Sequence, residues 1–413
     1  MTTSEISYTQ AFAPETYGAG NPDTYGLPLD LYEQMRAEMP CVRIYFDHPI
    51  LVSDVWCLSR HADIAAILTD KRFISSDPKN LPVITIFGPV APPERPGIFC
   101  QDGETLRRRR KEIGGALRPA ILKRLEPQFR TLAARLVDQA IAKSTAEGTI
   151  EFISEVAHPL PTTAIGDVLG IPEQDRAQFY KWSDSFISPF DERMISEAAG
   201  GLEALIGIWD YALKATALKR ECPADDVLTA LAQSGATDGE IQGDIATFAA
   251  GAGETTRAVL GHAVHELMRN PEQMAWLRAH ADDIPPTAID ELLRIAAPVI
   301  QQVRTATEDV EIHGQLIKAG ERIAPLLPSA NFDGDAFPDP RRFDLTREHN
   351  PHLSFGMGPH KCIGRHIAEL EIKVVLEELL QRTSDIRPAG EISYVKGHLT
   401  RGVYSLPVTV TKA

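Results

Sequence analysis

The stretch from Thr237 to Asn270 sets the scale of the fold. Thr237-Asp-Gly-Glu240 reads as a capping box, and Pro271 stands just past the far end. The roughly 33 residues between make one helix about 50 Å long, at 1.5 Å per residue. Inside it lies Ala250-Gly-Ala-Gly-Glu-Thr-Thr256. Two mid-helix glycines cost about 1 kcal/mol each relative to Ala, so they need a reason. One reason is a widened groove, where a small ligand meets helix backbone beside an acid and a hydroxyl that relay protons. The other is close packing of a second helix against the small residues.

The remainder of the 413 residues arranges itself around this helix. Residues 1–28, rich in Gly, Pro and Thr, read as an irregular lead-in. An amphipathic helix follows at Leu31–Glu38, then short strands at Ile50–Val55 and Val55–Leu58. Residues 82–99 carry Pro82, Pro89, Pro92, Pro93 and Pro96, a density that only a long loop tolerates. Long structureless loops in compact chains are usually functional. Helical patterns dominate from about residue 104 to 295, and short strands such as Val310–Ile312 follow. A last helix spans about 363–381. No composition break marks a linker, so residues 29–413 are expected to form a single helix-rich domain with small sheets.

Composition narrows the function classes. Lys and Arg number 42 against 57 Asp and Glu, a net charge of −15, which argues against nucleic acid or an anionic membrane as the main partner. No run of 18 apolar residues suggests a membrane span. The five cysteines (Cys41, Cys57, Cys100, Cys222, Cys362) are odd in number and form no CxxC pair. A disulfide scaffold or thiolate zinc site is therefore not expected, and a reducing compartment is. The polar N-terminus, MTTSEISYTQ, lacks a signal peptide's apolar core. A cytoplasmic monomer is the expectation.

Two further segments carry chemistry. Phe355-Gly-Met-Gly-Pro-His-Lys-Cys362-Ile-Gly364 places two glycines within four residues, which allows an unusual backbone path. A helical pattern (Ile363, Ile367, Leu370, Val374) starts immediately after Cys362. A cysteine at a helix N-terminus has its thiolate favoured by free N–H groups and the dipole. Such a thiolate serves as a nucleophile, with His360 as base, or as an axial ligand to haem iron, shielded by Phe355. Glu291 and Arg294, three apart on a helix face, make an ordinary ion pair whose interest lies in its position between the other two segments.

Taken together, these segments resemble the bacterial cytochrome P450 haem-thiolate monooxygenases. Phe355 to Gly364 matches the haem-binding signature FGxGxHxCxG position for position. Gly251-Ala-Gly-Glu254-Thr255-Thr256 resembles the oxygen-activation motif [AG]Gx[DE]T[TS], with Ala252 where Gly is usual. Glu291 and Arg294 match the ExxR helix, Pro340-Arg-Arg342-Phe343 looks like the PxRF meander, and residues 102–119 resemble the C-helix region. The motifs stand in family order over at least residues 30–410.

The resemblance implies a mainly α fold with small β-sheets: the single-domain, triangular P450 fold, its long central helix crossing the haem. It implies haem b (iron protoporphyrin IX) on the Cys362 thiolate, with O2 as co-substrate and Glu254 and Thr255 as the acid–alcohol pair delivering protons. Glu291, Arg294 and Arg342 would form a structural ion-pair cluster holding the cysteine loop. Arg110, Arg304 and His360 fall where the family binds the haem propionates, and Phe355, Gly356 and Gly364 border the haem. Leu106 stands where many bacterial members place a propionate-binding His. Arg107 to Lys111 are five consecutive cations. Arg110 can face the haem while others face solvent, either as a solvated helix face or as a basic patch on the cysteine side that attracts an acidic ferredoxin.

The family's pocket implies contributions from Phe87, Phe99, Phe186, Phe248, Ala249, Ala252, Val299 and Thr400. A lining this apolar predicts a lipophilic, uncharged substrate of small to medium size, hydroxylated or epoxidised. No GxGxxG opens a βαβ unit, so electrons would come from a separate ferredoxin and reductase. The competing readings are an H2O2-using peroxygenase, a haem binding or sensor protein without turnover, and a cysteine-nucleophile enzyme.

Overall fold

The computed structural model describes residues 8–45, 54–77, 94–187, 191–194, 201–397 and 399–413. Helix α1 (Leu29–Glu38) buries Leu31, Tyr32 and Met35 on one face. It leads into strands β1 (Cys41–Tyr45) and β2 (Asp54–Leu58). With β3 (Phe73–Ile74), β4 (Arg304–Ala306) and β5 (Arg322–Pro325), these form a five-stranded sheet in the order β1-β2-β5-β4-β3. The β2–β5 pair is parallel and the other pairs are antiparallel. The sheet thus joins the two ends of the chain across the helical middle. The lead-in is not wholly irregular, since Tyr8–Phe12 and Pro14–Gly18 are short helices that place Ala11 and Tyr17 in the core. Residues 50–53 of the expected strand Ile50–Val55 and most of the proline-rich segment, including Phe87, lie outside the described residues.

The helical part follows in chain order: α2 (Gly103–Gly114), α3 (Pro119–Glu147), α4 (Glu173–Ile187), α5 (Gly201–Glu221), α6 (Asp238–Arg269), α7 (Pro286–Ala296) and α8 (Arg365–Arg382). Helix α6 starts at the expected capping box, with both of its reciprocal hydrogen bonds made. It is buried around much of its circumference (Ile241, Ile245, Phe248, Val259, Leu260, Val264), as a helix through the middle of a core must be. It runs as unbroken α-helix through both glycines. A side chain at Gly251 would meet nothing within 4 Å, so no neighbouring helix requires that glycine. The space beside it is the groove, made without breaking the helix. Among the described residues no helix is long and apolar enough to cross a membrane.

The cation run on α2 divides unevenly. Arg107 and Lys111, one turn apart, are exposed, and Arg108 pairs with Glu112 and Glu240 at 3.0 Å. Arg109 does not face solvent. It is fully buried and pairs with Asp244 of α6, itself fully buried, and with Glu112 at 2.6 Å. Asp244 also accepts from the Ile98 backbone N–H at 2.8 Å. Burial pushes the Asp244 carboxyl up to about 6 even against the pull of Arg109. Removing one member of such a pair strands the other. Arg109→Leu is expected to lower unfolding free energy by about 3–5 kcal/mol, and Arg107→Leu by under about 0.5 kcal/mol, by denaturant titration. Equal effects would contradict the buried pairing.

Candidate active site

The cysteine loop owes its path to backbone conformations that side chains resist. Gly356 and Gly358 sit at φ of 65° and 69°, in the left-handed region. The Cys362 N–H donates to the Phe355 carbonyl at 2.8 Å and closes the loop on itself. Helix α8 begins only at Arg365, so Cys362 lies outside its first turn. Burial, the largest influence, raises the Cys362 thiol above its usual value. The Gly364 N–H and the Arg110 charge pull the other way. The sulfur is enclosed by protein yet open to an internal cavity.

Behind the loop lies Glu291 of α7, with no exposure. Its carboxylate takes both forks of Arg294 at 2.8 Å, Arg347 Nε at 3.1 Å, the Asp344 N–H and Asn350 Nδ2. The expected third cation was Arg342. Its side chain is instead 64% exposed, 3.6 Å from Asp344, and only its backbone carbonyl touches Arg294. Arg347 fills the place, because the coil after Phe343 turns it back onto Glu291. Asn331 continues the network to Arg294 O, Ser354 Oγ and the Leu353 N–H, at the base of the cysteine loop.

The cavity at Cys362 is lined by Phe355, Gly364, Ile165, Val259 and Leu293. Arg110 borders it, and Arg304 borders the adjoining pocket beside His360. Among the described residues neither arginine has a carboxylate within ion-pair distance. Arg304 donates to the Val303 carbonyl at 2.9 Å, and burial pulls its guanidinium down to about 10. Buried Arg304 feels the Asp102 charge without pairing with it, and Arg110 is half-buried, so both guanidinium groups fit a ligand with two carboxylates. His360 holds Asp102 through Nε2 at 2.9 Å, so at most its other ring nitrogen is free for such a ligand. Leu106 is buried and contributes no hydrogen bond there.

The second pocket runs along α6 from Gly243 to Thr255 and shares Phe99, Gly251, Thr255, Val299 and Gln302 with the first. Thr255 donates to the Gly251 carbonyl at 2.8 Å and faces both spaces. Phe186 and Thr400 line the second pocket, and Phe248 and Ala252 the first. Two expected residues point elsewhere. Glu254 is buried against Arg257 behind the helix and borders neither space. Ala249 faces Ser183, whose hydroxyl bonds its carbonyl. Sequence reading missed Ser75, Arg95, Leu205 and Trp209 of the lining. A single cation among prolines was the only available signal for Arg95.

Similarity to known proteins follows this geometry. The family model described as Cytochrome P450 matches residues 214–384. Nocardicin C N-oxygenase of Nocardia uniformis subsp. tsuyamanensis is 32% identical over 412 residues, covering 95% of this chain and 98% of that protein. The chain belongs to the cytochrome P450 family. Cytochrome P450-terp of a Pseudomonas species is 30% identical over 92% of this P450 and 93% of its own length. The crystal structure of CYP108D1 from Novosphingobium aromaticivorans superposes with a TM-score of 0.82 at 26% identity, over 100% of both chains. The mainly α, single-domain P450 fold and the monooxygenase class stand on these matches. The family is one of haem-thiolate, O2-using enzymes.

Proposed function

We propose that this P450 binds haem b through Cys362 and hydroxylates or epoxidises a lipophilic substrate with O2, using electrons from a separate ferredoxin and reductase. The observation that carries the reading is the cavity at Cys362, bordered by Arg110, beside a mostly apolar pocket that shares part of its wall and is bordered by Arg304, neither arginine being in an ion pair among the described residues. Bound haem supplies iron at which O2 is activated, and thiolate ligation favours O–O cleavage. The balance is substrate, O2, two electrons and two protons giving oxygenated product and one water.

The chain's own residues supply position and protons. Arg110 and Arg304 hold the propionates. Cys362 gives up its proton on metal binding, which overrides the cost of burial, and the Gly364 N–H then donates to the sulfur. The Thr255 hydroxyl lies on the cavity wall with its proton on the Gly251 carbonyl, which leaves its oxygen to accept a hydrogen bond from the cavity side. Glu254, held by Arg257, supports the helix rather than the cavity. The apolar lining excludes water around the reacting carbon. Retention of Thr255 favours O2 over H2O2 as oxidant. Exposed Arg107, Lys111 and Lys361 suit an acidic ferredoxin docking on the cysteine side.

The deciding experiment is the carbon monoxide difference spectrum of the reduced protein. A strongly red-shifted Soret band is expected, and Cys362→Ser should abolish it; a variant keeping the band would unseat Cys362. Reconstituted with ferredoxin and reductase, Thr255→Ala should bind substrate normally but divert at least half of its electrons to peroxide. Unchanged coupling removes Thr255 from proton delivery. In the same system Arg107→Glu should raise the ferredoxin KM severalfold at low salt, an effect that shrinks as salt rises. A KM indifferent to the charge returns Arg107 to a merely solvated face.

A further inference from the structure

The apolar pocket along α6 ends in a charge. Arg95 lines it at the level of Gly243, while Thr255 lines it at the opposite end. The twelve residues between those α6 positions span roughly 18 Å at 1.5 Å per residue. The lining between them on α6, Ala246, Thr247, Ala250 and Gly251, is small and carries no charge. Arg304 and His360 also border the pocket, but they stand beside Asp102 at the Cys362 end. Arg95 is therefore a separate cation, remote from the cofactor.

Its setting is built. Arg95 Nε donates to Gln242 Oε1 at 2.8 Å, and Gln242 is buried. The guanidinium lies over the ring of buried Trp209, 4.3 Å from its centroid. The backbone on either side is pinned to α6. A Cβ on Gly97 would collide with the Gly243 carbonyl, and the Ile98 N–H is held by Asp244. Stacking and the Gln242 bond fix the plane of the fork and occupy Nε. Among the described residues no carboxylate pairs with Arg95, and its two terminal nitrogens have no partner. A planar pair of N–H donors, fixed in advance at the end of an apolar pocket, matches a carboxylate bidentately.

We infer that Arg95 is the substrate's anion anchor: the substrate is a lipophilic carboxylic acid lying along α6 with its carboxylate on Arg95. Oxidation then falls on carbons remote from the carboxylate, beside Thr255 and Cys362. This rests on the haem-monooxygenase reading and sharpens its substrate class from uncharged to acidic. Arg95 is a positioning residue, since it touches the substrate far from the reacting atoms.

Calorimetry tests it on the holoenzyme with tetradecanoic acid and its methyl ester, which differ only at the carboxyl. The acid is expected to bind at least about tenfold tighter, the scale of one charge-assisted hydrogen bond. Arg95→Gln should erase the preference while leaving ester affinity unchanged. Arg95→Lys, which keeps charge but not the fork, should recover part of it. In turnover, hydroxyl should appear on the methyl-terminal half of the acid. Equal binding of acid and ester by the unsubstituted protein overturns the anchor, as does a preference that survives in Arg95→Gln. Either result with the thiolate Soret band intact leaves the haem reading standing. Loss of that band with the acid preference intact fails the haem reading alone.

Discussion

One fully buried carboxylate organises the cysteine end of the molecule. Glu291 receives five hydrogen bonds, from Arg294, Arg347, Asn350 and the Asp344 backbone. Glu291 and Arg294 have no exposure, so water cannot replace a partner that either of them loses. Arg294 passes the constraint on through the carbonyls of Asn331, Pro340 and Arg342. Ser354, which bonds the Leu293 carbonyl, fixes the residue before Phe355. The cysteine loop therefore inherits its position from a helix it follows by some sixty residues. The thiol is placed by electrostatics behind it and by glycine backbone within it.

The sequence was legible where chemistry is local. A capping box, an i,i+3 ion pair and a glycine-flanked cysteine each need only a few consecutive residues, and all three appear as expected. It was less legible where a side chain's direction depends on what lies opposite. Arg109 and Arg110 are neighbours in a run of cations with no apolar periodicity. Which of them turns to the core is decided by Asp244 on another helix. Arg342 and Arg347 both follow the meander, and only the path of the coil selects Arg347. Glu254 and Thr255 look like a working pair in the sequence. On a helix, adjacent residues point about 100° apart, so one reaches the cavity and the other reaches Arg257.

Substrate recognition shows the same division. Aromatic and aliphatic residues of the lining were readable as apolar, and Phe99, Phe186 and Val299 are where the resemblance put them. Of the polar minority, Thr400, Gln301 and Gln302 were readable from the resemblance, while Ser75 and Arg95 were not. The side-chain oxygens of Gln301 and Gln302 are buried without partners, and Arg95 gains its meaning only from Trp209 and Gln242, which lie far along the chain. Specificity in such a pocket is carried by these few groups, because apolar contacts discriminate by size and shape.

The parallel pairing of β2 with β5 joins segments from opposite ends of the chain. The same is true of the cavity, whose wall combines Arg110, Ile165, Thr255 and Cys362. Residues 354–372 supply one side of that wall, and the rest comes from four segments far away in the sequence. A nascent chain that ends before residue 360 has no Cys362 thiol to offer, and its Asp102 has no His360 to steady. For the proposed haem enzyme, capture of the cofactor waits until these segments have come together. A ligand that binds only the finished fold shifts the folding balance toward it by mass action, so cofactor supply becomes a determinant of how much protein survives in the cell.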